Sequence, residues 1–399
     1  MLKNQNVYLE FRNIVLYYLY FSFFATIFLI SRQSLAVQYA FSILDILILT
    51  SSILIIKKNN VNKWNYLVFI FLIIYSILAL VKGTHINSPI LFLKIYLIFI
   101  FFKLYTFKIE EIVRFLNSTY LLYALLSLFF FKFLPSTLYT LADHELNYVD
   151  LGFTKYLVLH SIEGGASTID SYSALIFLSN IFLIKYKTKA HYFFIILSTL
   201  LIIYSLKMTP LVALIMGVIS YTLIRNKTIA TIYTILIFSI FIFVLNLLFV
   251  NPEVYGPVRF SSIMYVATHA RSMIWVQQLT ILIETYSIKD YIFGNFTSES
   301  FTVNAFQLTG HEITTNYDNP HNTYLLLFFK APLLFIIYYL KYIFMIFKNF
   351  DRKSFVIISF IAVAGFSNSS IISLGNPVYL IIIAFLLTSP DFKSKKIIE

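Results

Sequence analysis

Arg271 and Trp275 stand four residues apart in a stretch where Ile274, Trp275, Leu279, Leu282 and Ile283 recur at helical spacing. An arginine above a membrane surface can fork onto phosphate oxygens with two hydrogen bonds and stays charged at every relevant pH. Arg271 is therefore a candidate anchor for a lipid-linked pyrophosphate. The plainer reading is an interfacial arginine snorkelling beside an aromatic belt residue. A second constellation, Asn319-Pro320-His321-Asn322, opens an apolar run. Proline at a helix start costs little, because its missing N–H would have had no intrahelical partner. His321 then falls in the first turn, where an imidazole can accept a proton or bond a phosphate and the helix N-terminus favours an anion. Without that chemistry the same residues are a helix cap with a surface histidine.

Other clusters carry weaker chemistry. Asp143-His144-Glu145 groups possible ligands for a divalent ion, but three adjacent ligands rarely converge on one point, so a solvated charge run is the better reading. His144-Glu145 and His311-Glu312 begin like a zinc-protease helix; the second histidine that motif needs is Tyr148 in one case and Thr315 in the other. Asp45 and Lys330 lie deep in apolar runs, where an ionised group is costly and often functional. They are expected to pair, with Lys330 also facing an external cavity below His321 and Lys94 serving that cavity from nearer the surface. Lys103, Lys132 and Lys341 sit near run ends and read as snorkelling side chains. Cysteine is absent, which excludes disulfides, thiolate metal sites and a cysteine nucleophile.

The elements that must position these residues follow from composition. Of 399 residues 59% are hydrophobic and only 12% charged, about half the charged share of a soluble domain. Apolar windows of spanning length fall at 14–30, 35–56, 64–81, 89–107, 115–134, 168–184, 191–206, 210–224, 229–250, 322–347, 354–371 and 375–388. The last two are interrupted, by Ser367-Asn368-Ser369-Ser370 and by Gly375-Asn376-Pro377. The first, lacking a small-residue cleavage signature, reads as a retained span. One set of short connections holds 18 of the 30 Lys and Arg residues, against seven on the other side over far more loop sequence. By the positive-inside rule the basic side is cytoplasmic and both termini lie there.

The expected fold is thus an all-α polytopic integral membrane protein with about 12 transmembrane helices, residues 1–399 forming one membrane domain. Two long external loops, 135–167 and 251–321, exceed what a mere connection needs, and Ser272 to Ile288 is expected as a helix along the outer boundary. Six of the seven histidines fall on that side, so any chemistry is expected outside the cytoplasm. The net charge of +12 is dispersed in orientation clusters and forms no contiguous basic face, which argues against nucleic acid as a partner.

Arg271-Ser272-Met273-Ile274-Trp275, then Tyr291-Ile292-Phe293-Gly294, then His321-Asn322 opening a span resembles the O-antigen ligase/polymerase superfamily. Glu163-Gly164-Gly165-Ala166 through Ile169-Asp170-Ser171-Tyr172-Ser173-Ala174 resembles the glycine-containing loop end before a span in polysaccharide polymerases. Pro332 and Phe335 stand where the ligases have Gly and then Gly, Thr or Tyr, and Ser205-Leu206-Lys207-Met208 stands where a Ser-Arg is often found. The departures favour a polymerase over a ligase.

The resemblance implies a GT-C-like membrane glycosyltransferase of the bacterial inner membrane, with its active site facing the periplasm. It implies metal-independent transfer of oligosaccharide repeat units carried on undecaprenyl pyrophosphate, with no cofactor and with a chain-length regulator protein as a partner. In that scheme Arg271, helped by Arg259 and Lys207, stabilises the departing diphosphate. His321 or Glu163 accepts the proton of the attacking hydroxyl, and Trp275, Asn322, Asp170 and Lys330 contact substrate. A ligase acting on a lipid acceptor is the nearest alternative. A flippase or transporter is the alternative of a different class.

Overall fold

The computed structural model describes residues 12–19, 21–22, 35–56, 63–82, 87–133, 148–150, 155–157, 166–205, 208–250, 275, 282–294, 301–306, 312–317, 322–366 and 378–388. Its body is all-helical, and helices occupy each apolar run. α1 (12–19, with 21–22 also helical) is followed by α2 (Leu35–Ile56), α3 (Lys63–Val81), α4 (Asn87–Leu104) and α5 (Ile109–Phe133). After the first long loop come α6 (Ala166–Leu178), which runs on as a π-helical turn over Ser179–Leu183, α7 (Lys189–Ser205), α8 (Met208–Leu223) and α9 (Lys227–Val250). The second long loop contributes α10 (Ile288–Phe293). The chain closes with α11 (Thr323–Lys330), α12 (Pro332–Asn349), α13 (Arg352–Ala364) and α14 (Val378–Thr388).

Polar residues at the run ends set the helix boundaries. Asp351 caps α13, accepting from the Ser354 N–H at 2.8 Å and the Ser354 hydroxyl at 2.8 Å. Glu110 and Glu111 in the first turn of α5 and Lys132 in its last complement the helix dipole. Arg12 fastens α1 to the α4–α5 turn: it donates to the Thr106 carbonyl at 2.6 Å and to Glu111 at 2.9 Å, with its guanidinium over the Phe107 ring.

α4 and α14 lie innermost. Nearly every described side chain of α4 from Ile90 to Phe102 is buried, as is every residue of α14, the pattern of a helix surrounded by other helices. α4 packs on α2, α3 and α14, and α8 packs along α13. The α8–α13 approach depends on Gly217, where a Cβ would come 3.1 Å from the Val356 carbonyl oxygen. Outward faces are apolar: Ile70 and Ile74 on α3, Ile232 and Leu236 on α9 and Leu340 on α12 are exposed. Two helices among the described residues, Ile109–Phe133 and Pro332–Asn349, are long and apolar enough to cross a membrane, and seven others are apolar over 10–17 residues. Twelve crossings therefore go beyond what these helix lengths alone show.

Four expectations need correction. The run 322–347 is two helices, because Pro332 cannot donate to the preceding turn and its ring clashes there, so α11 stops at Lys330 and α12 begins at Pro332. The helix expected over Ser272–Ile288 does not run through: residues 282–285 are helical, Ser287 leaves the helix with φ −78° and ψ 167°, and a new helix starts at Ile288. The loops hold strands as well as short helices. β1 (Tyr148–Asp150) pairs antiparallel with β2 (Lys155–Leu157), and β3 (Phe301–Phe306) pairs with β4 (Glu312–Tyr317) in the register Phe301↔Tyr317 to Phe306↔Glu312. Finally, Asp45 on α2 pairs with Lys94 on α4, not with Lys330, and both side chains are 1% exposed. The Tyr18 hydroxyl of α1 faces the same carboxylate.

Candidate functional site

The second long loop meets the helical body where α11 begins and where it breaks. At the beginning stands Asn322, fully buried. Its Oδ1 accepts from the N–H groups of Tyr324 at 2.9 Å and Leu325 at 3.0 Å, satisfying donors that a helix start leaves open. Its Nδ2 donates to the Phe366 carbonyl at 2.9 Å, and the Thr323 N–H donates to the Gly365 carbonyl at 2.8 Å. Asn322 thus ties the start of α11 to the end of α13. Its side-chain oxygen is spent on backbone donors and its nitrogen on a backbone carbonyl, so the side chain serves as a cap and tether.

The break is clasped by α10. Ser287 and Asp290 form a reciprocal capping box: the Asp290 N–H donates to the Ser287 hydroxyl oxygen at 3.3 Å, and Asp290 accepts from the Ser287 N–H at 2.7 Å. The other Asp290 oxygen takes an ion pair with Lys82, at the end of α3. Lys82 also donates to the Gly294 carbonyl at 2.9 Å, and the Tyr75 hydroxyl of α3 donates to the Ile292 carbonyl at 2.7 Å. Burial alone would raise the Asp290 pKa, but hydrogen bonds from Lys82 and Ser287 and the Lys82 charge outweigh it and hold the carboxyl below its ordinary value. On the other side, the Tyr286 hydroxyl donates to the Phe329 carbonyl at 3.1 Å.

Gly294 makes that contact possible. Its φ of +79° is one side chains rarely adopt, and a Cβ there would lie 1.8 Å from the Lys330 carbonyl oxygen and 3.3 Å from the Ala331 nitrogen. Trp275, 5% exposed, packs with Leu282, Leu325 and Phe329, so both described pieces of the loop rest on one face of α11. Lys330 is the last residue of α11, directly under Gly294.

Behind α11 a mostly apolar cavity of about 110 Å3 runs from Thr323 past Tyr324, Leu327 and Phe335 to Tyr338 and Tyr342. Smaller cavities adjoin it, sharing Tyr339 and Tyr342 toward Ser359 and Tyr338 and Tyr342 toward Lys341. Hydroxyls along its wall are tied to backbone: Tyr324 donates to the Ala362 carbonyl at 2.7 Å and Tyr338 to the Phe92 carbonyl at 3.1 Å. The space is therefore shaped for hydrocarbon rather than sugar.

The site residue Asp170 lies elsewhere, fully buried on α6, and accepts from the Ser205 hydroxyl at the end of α7. It heads a polar seam between α5 and α6 in which Tyr120 meets Ser173 at 2.8 Å and Thr119 meets Tyr172. Asn117 and Asn180 exchange two hydrogen bonds at 3.0 and 2.8 Å, where the helix widens into its π-turn. Arg271, His321, Glu163, Arg259 and Lys207 lie outside the described residues, as does the Asp143-His144-Glu145 cluster. Among the described residues no group of three or more His, Asp or Glu side chains could hold a metal ion.

The described geometry puts Trp275 against the middle of α11, Asn322 and Lys330 at its two ends, and Asp170 with the α6–α7 pair. Sequence reasoning missed Lys82 and Asp290. The pattern Ser287-x-x-Asp290 before an apolar turn was the available signal for the cap; no local signal pointed to Lys82. Comparison with known proteins adds no assignment: no family model, curated protein or solved structure matches the chain.

Proposed function

We propose that the protein is a bacterial inner-membrane polymerase that joins undecaprenyl-pyrophosphate-linked oligosaccharide repeat units on the periplasmic face, its chain crossing the membrane about twelve times. The observation that carries this reading is the clasp: Ser287–Gly294 of the largest loop is fixed onto the break in the span that His321-Asn322 opens. A loop held this way keeps polar residues over the membrane surface, and the apolar cavity behind α11 offers room for part of a prenyl chain beneath them.

In this reaction an acceptor sugar hydroxyl attacks the anomeric carbon of the donor sugar. The new glycosidic C–O bond forms as the bond to the carrier diphosphate breaks, and that bonding pair leaves on the diphosphate oxygen. Arg271, with Arg259 and Lys207, stabilises the charge on the leaving group, a role fixed cations can fill without a metal. His321 or Glu163 accepts the hydroxyl proton. Asn322 ties the start of α11 to the end of α13, and Trp275 packs against α11.

The test is chain growth in cells. Arg271→Ala and His321→Ala are expected to leave single repeat units on the lipid carrier or core while the protein stays inserted at normal level. Full-length polymer from both variants overturns the site assignment, and long chains stranded on the carrier would mark a ligase instead. A transporter is the second reading, favoured by the buried Asp45–Lys94 pair inside two apolar helices, a feature of coupled transport. A transporter defect would trap the unpolymerised unit at the cytoplasmic face.

A further inference from the structure

Where α1, α2 and α4 meet, Lys94 pairs with Asp45 at Oδ2, and both side chains are 1% exposed. Asp45 Oδ1 and the Tyr18 hydroxyl are buried too, and among the described residues neither has a hydrogen bond of ordinary geometry. They share one space. The Tyr18 hydroxyl is turned to the Asp45 carboxylate on one side and to Ser22, one turn along α1, on the other. Ser22 is itself buried. Leaving a buried acceptor without a donor is expensive, and nearly all such groups in native proteins are satisfied. A structural ion pair between α2 and α4 uses Lys94 and one carboxylate oxygen; it gives no reason for Oδ1 and the Tyr18 hydroxyl to face each other. Together with Ser22 they make a set of oxygen donors.

Charge decides what such a set can hold. Asp45 and Lys94 stand about 15–17 Å along α2 and α4 from Ile56 and Leu104, at about 1.5 Å per residue. With the crossings proposed above, that is the middle of a hydrocarbon layer about 30 Å thick, where a net charge is costly. The pair is neutral as it stands. An anion would meet the carboxylate, whereas a carboxylate and two hydroxyls suit a hard cation. A cation can enter without leaving net charge only if the ammonium gives up a proton at the same time. We propose that Asp45, Tyr18 and Ser22 form a binding site for an alkali cation, which exchanges against a proton of Lys94. In the exchange one N–H bond of the ammonium breaks, its electron pair stays on Nζ, and the proton leaves to water. The cation takes the place of the ammonium beside the Asp45 carboxylate, and the buried charge is zero before and after. Tyr18 keeps its own proton and offers the cation a lone pair. The site lies away from α11 and the outer loop. It rests on the membrane crossings and not on the polymerase reading, and under the transporter reading it is where the coupled ions bind.

The test uses the full-length protein in phosphatidylcholine nanodiscs, weakly buffered at mildly alkaline pH with an indicator dye. Sodium chloride is the probe, and N-methylglucamine chloride at equal concentration is the control. The protein is expected to release about one proton per chain with sodium and none with N-methylglucamine, because a cation that displaces an ammonium sets its proton free. The release should vanish in Asp45→Leu with Lys94→Leu, a neutral replacement that keeps the helices packed. Tyr18→Phe should raise the sodium concentration at half release several-fold. Lys94→Gln strands the carboxylate, so sodium should raise the thermal stability of that variant without releasing a proton, an effect a purely structural pair does not produce. No sodium-linked release, equal release with N-methylglucamine, or release that survives in the double leucine variant overturns the proposal. Cellular chain growth in Arg271→Ala and His321→Ala tests the polymerase reading separately: full-length polymer there leaves the exchange standing, and absent exchange leaves that reading standing.

Discussion

Replacing Gly294 by alanine tests the clasp directly. The native backbone there, φ +79° and ψ 156°, lies in a region nearly confined to glycine, and forcing a side chain into it costs about 1–3 kcal/mol. The added Cβ would also sit 1.8 Å from the Lys330 carbonyl oxygen, far inside an ordinary contact of about 3.5 Å. The obstruction is backbone at a helix end, so no rotamer change relieves it and α10 must lift away. Lifting breaks the Lys82–Gly294, Tyr75–Ile292 and Tyr286–Phe329 bonds. With about 1 kcal/mol for each neutral bond and about 2 for the charged one, roughly 4 kcal/mol of local stability is lost. Hydrogen exchange of the full-length protein in nanodiscs should then be about a thousandfold faster over residues 286–294 in Gly294→Ala, with α4 and α14 unchanged. Gly365→Ala is the control, since its nearest obstacle is a Tyr324 ring carbon at 3.1 Å that can move aside. Unchanged exchange in Gly294→Ala would refute the clasp.

Three further outcomes follow from the described contacts. Lys94→Leu alone should lower the thermal stability of the purified protein by the equivalent of about 3–5 kcal/mol, while Asp45→Leu with Lys94→Leu should be nearly neutral, because only the single variant strands a buried charge. The Asp290 carboxyl is held below its ordinary value, so its contribution is present above the unfolded pKa of about 3.9 and lost as the pH falls through the lower folded value. A fluorophore on a cysteine introduced at exposed Lys289 should report release of α10 only below about pH 4, and Lys82→Gln should move that release to higher pH. Asn322→Ala should cost about 1–2 kcal/mol through the lost cap. Asn322→Asp should cost less in the α11 start but still lose the Phe366 tether, read as faster exchange at the end of α13.

Most helix positions were legible because those helices are predominantly apolar runs between polar residues, and hydropathy reports that directly. The break at Ala331 was not, since Leu325–Phe329 and Leu333–Ile337 read as one run across Pro332. Pairing across sequence was the least accessible. Asp45 could be recognised as needing a cation, but a linear pattern does not say whether Lys94 or Lys330 lies opposite it. Asn322 was readable as a cap and is one, whereas its second bond, to a carbonyl 44 residues away, was not. Gly294 was singled out by motif, and its reason, close approach to Lys330, is a fact of tertiary packing.

The Tyr286–Phe329 bond has a consequence for how the molecule is made. A carbonyl at the end of an eight-residue helix, just ahead of a proline, is completed by a hydroxyl contributed 43 residues earlier in the chain. Tyr286 emerges from the ribosome first, so in the membrane orientation proposed above its donor is exported before the short helix enters the lipid. Synthesis in the reverse direction, or delivery of the last third as a separate polypeptide ahead of the loop, would leave that helix end waiting in oil for its partner. On that reading the order of translation is part of what makes a broken span insertable at this point.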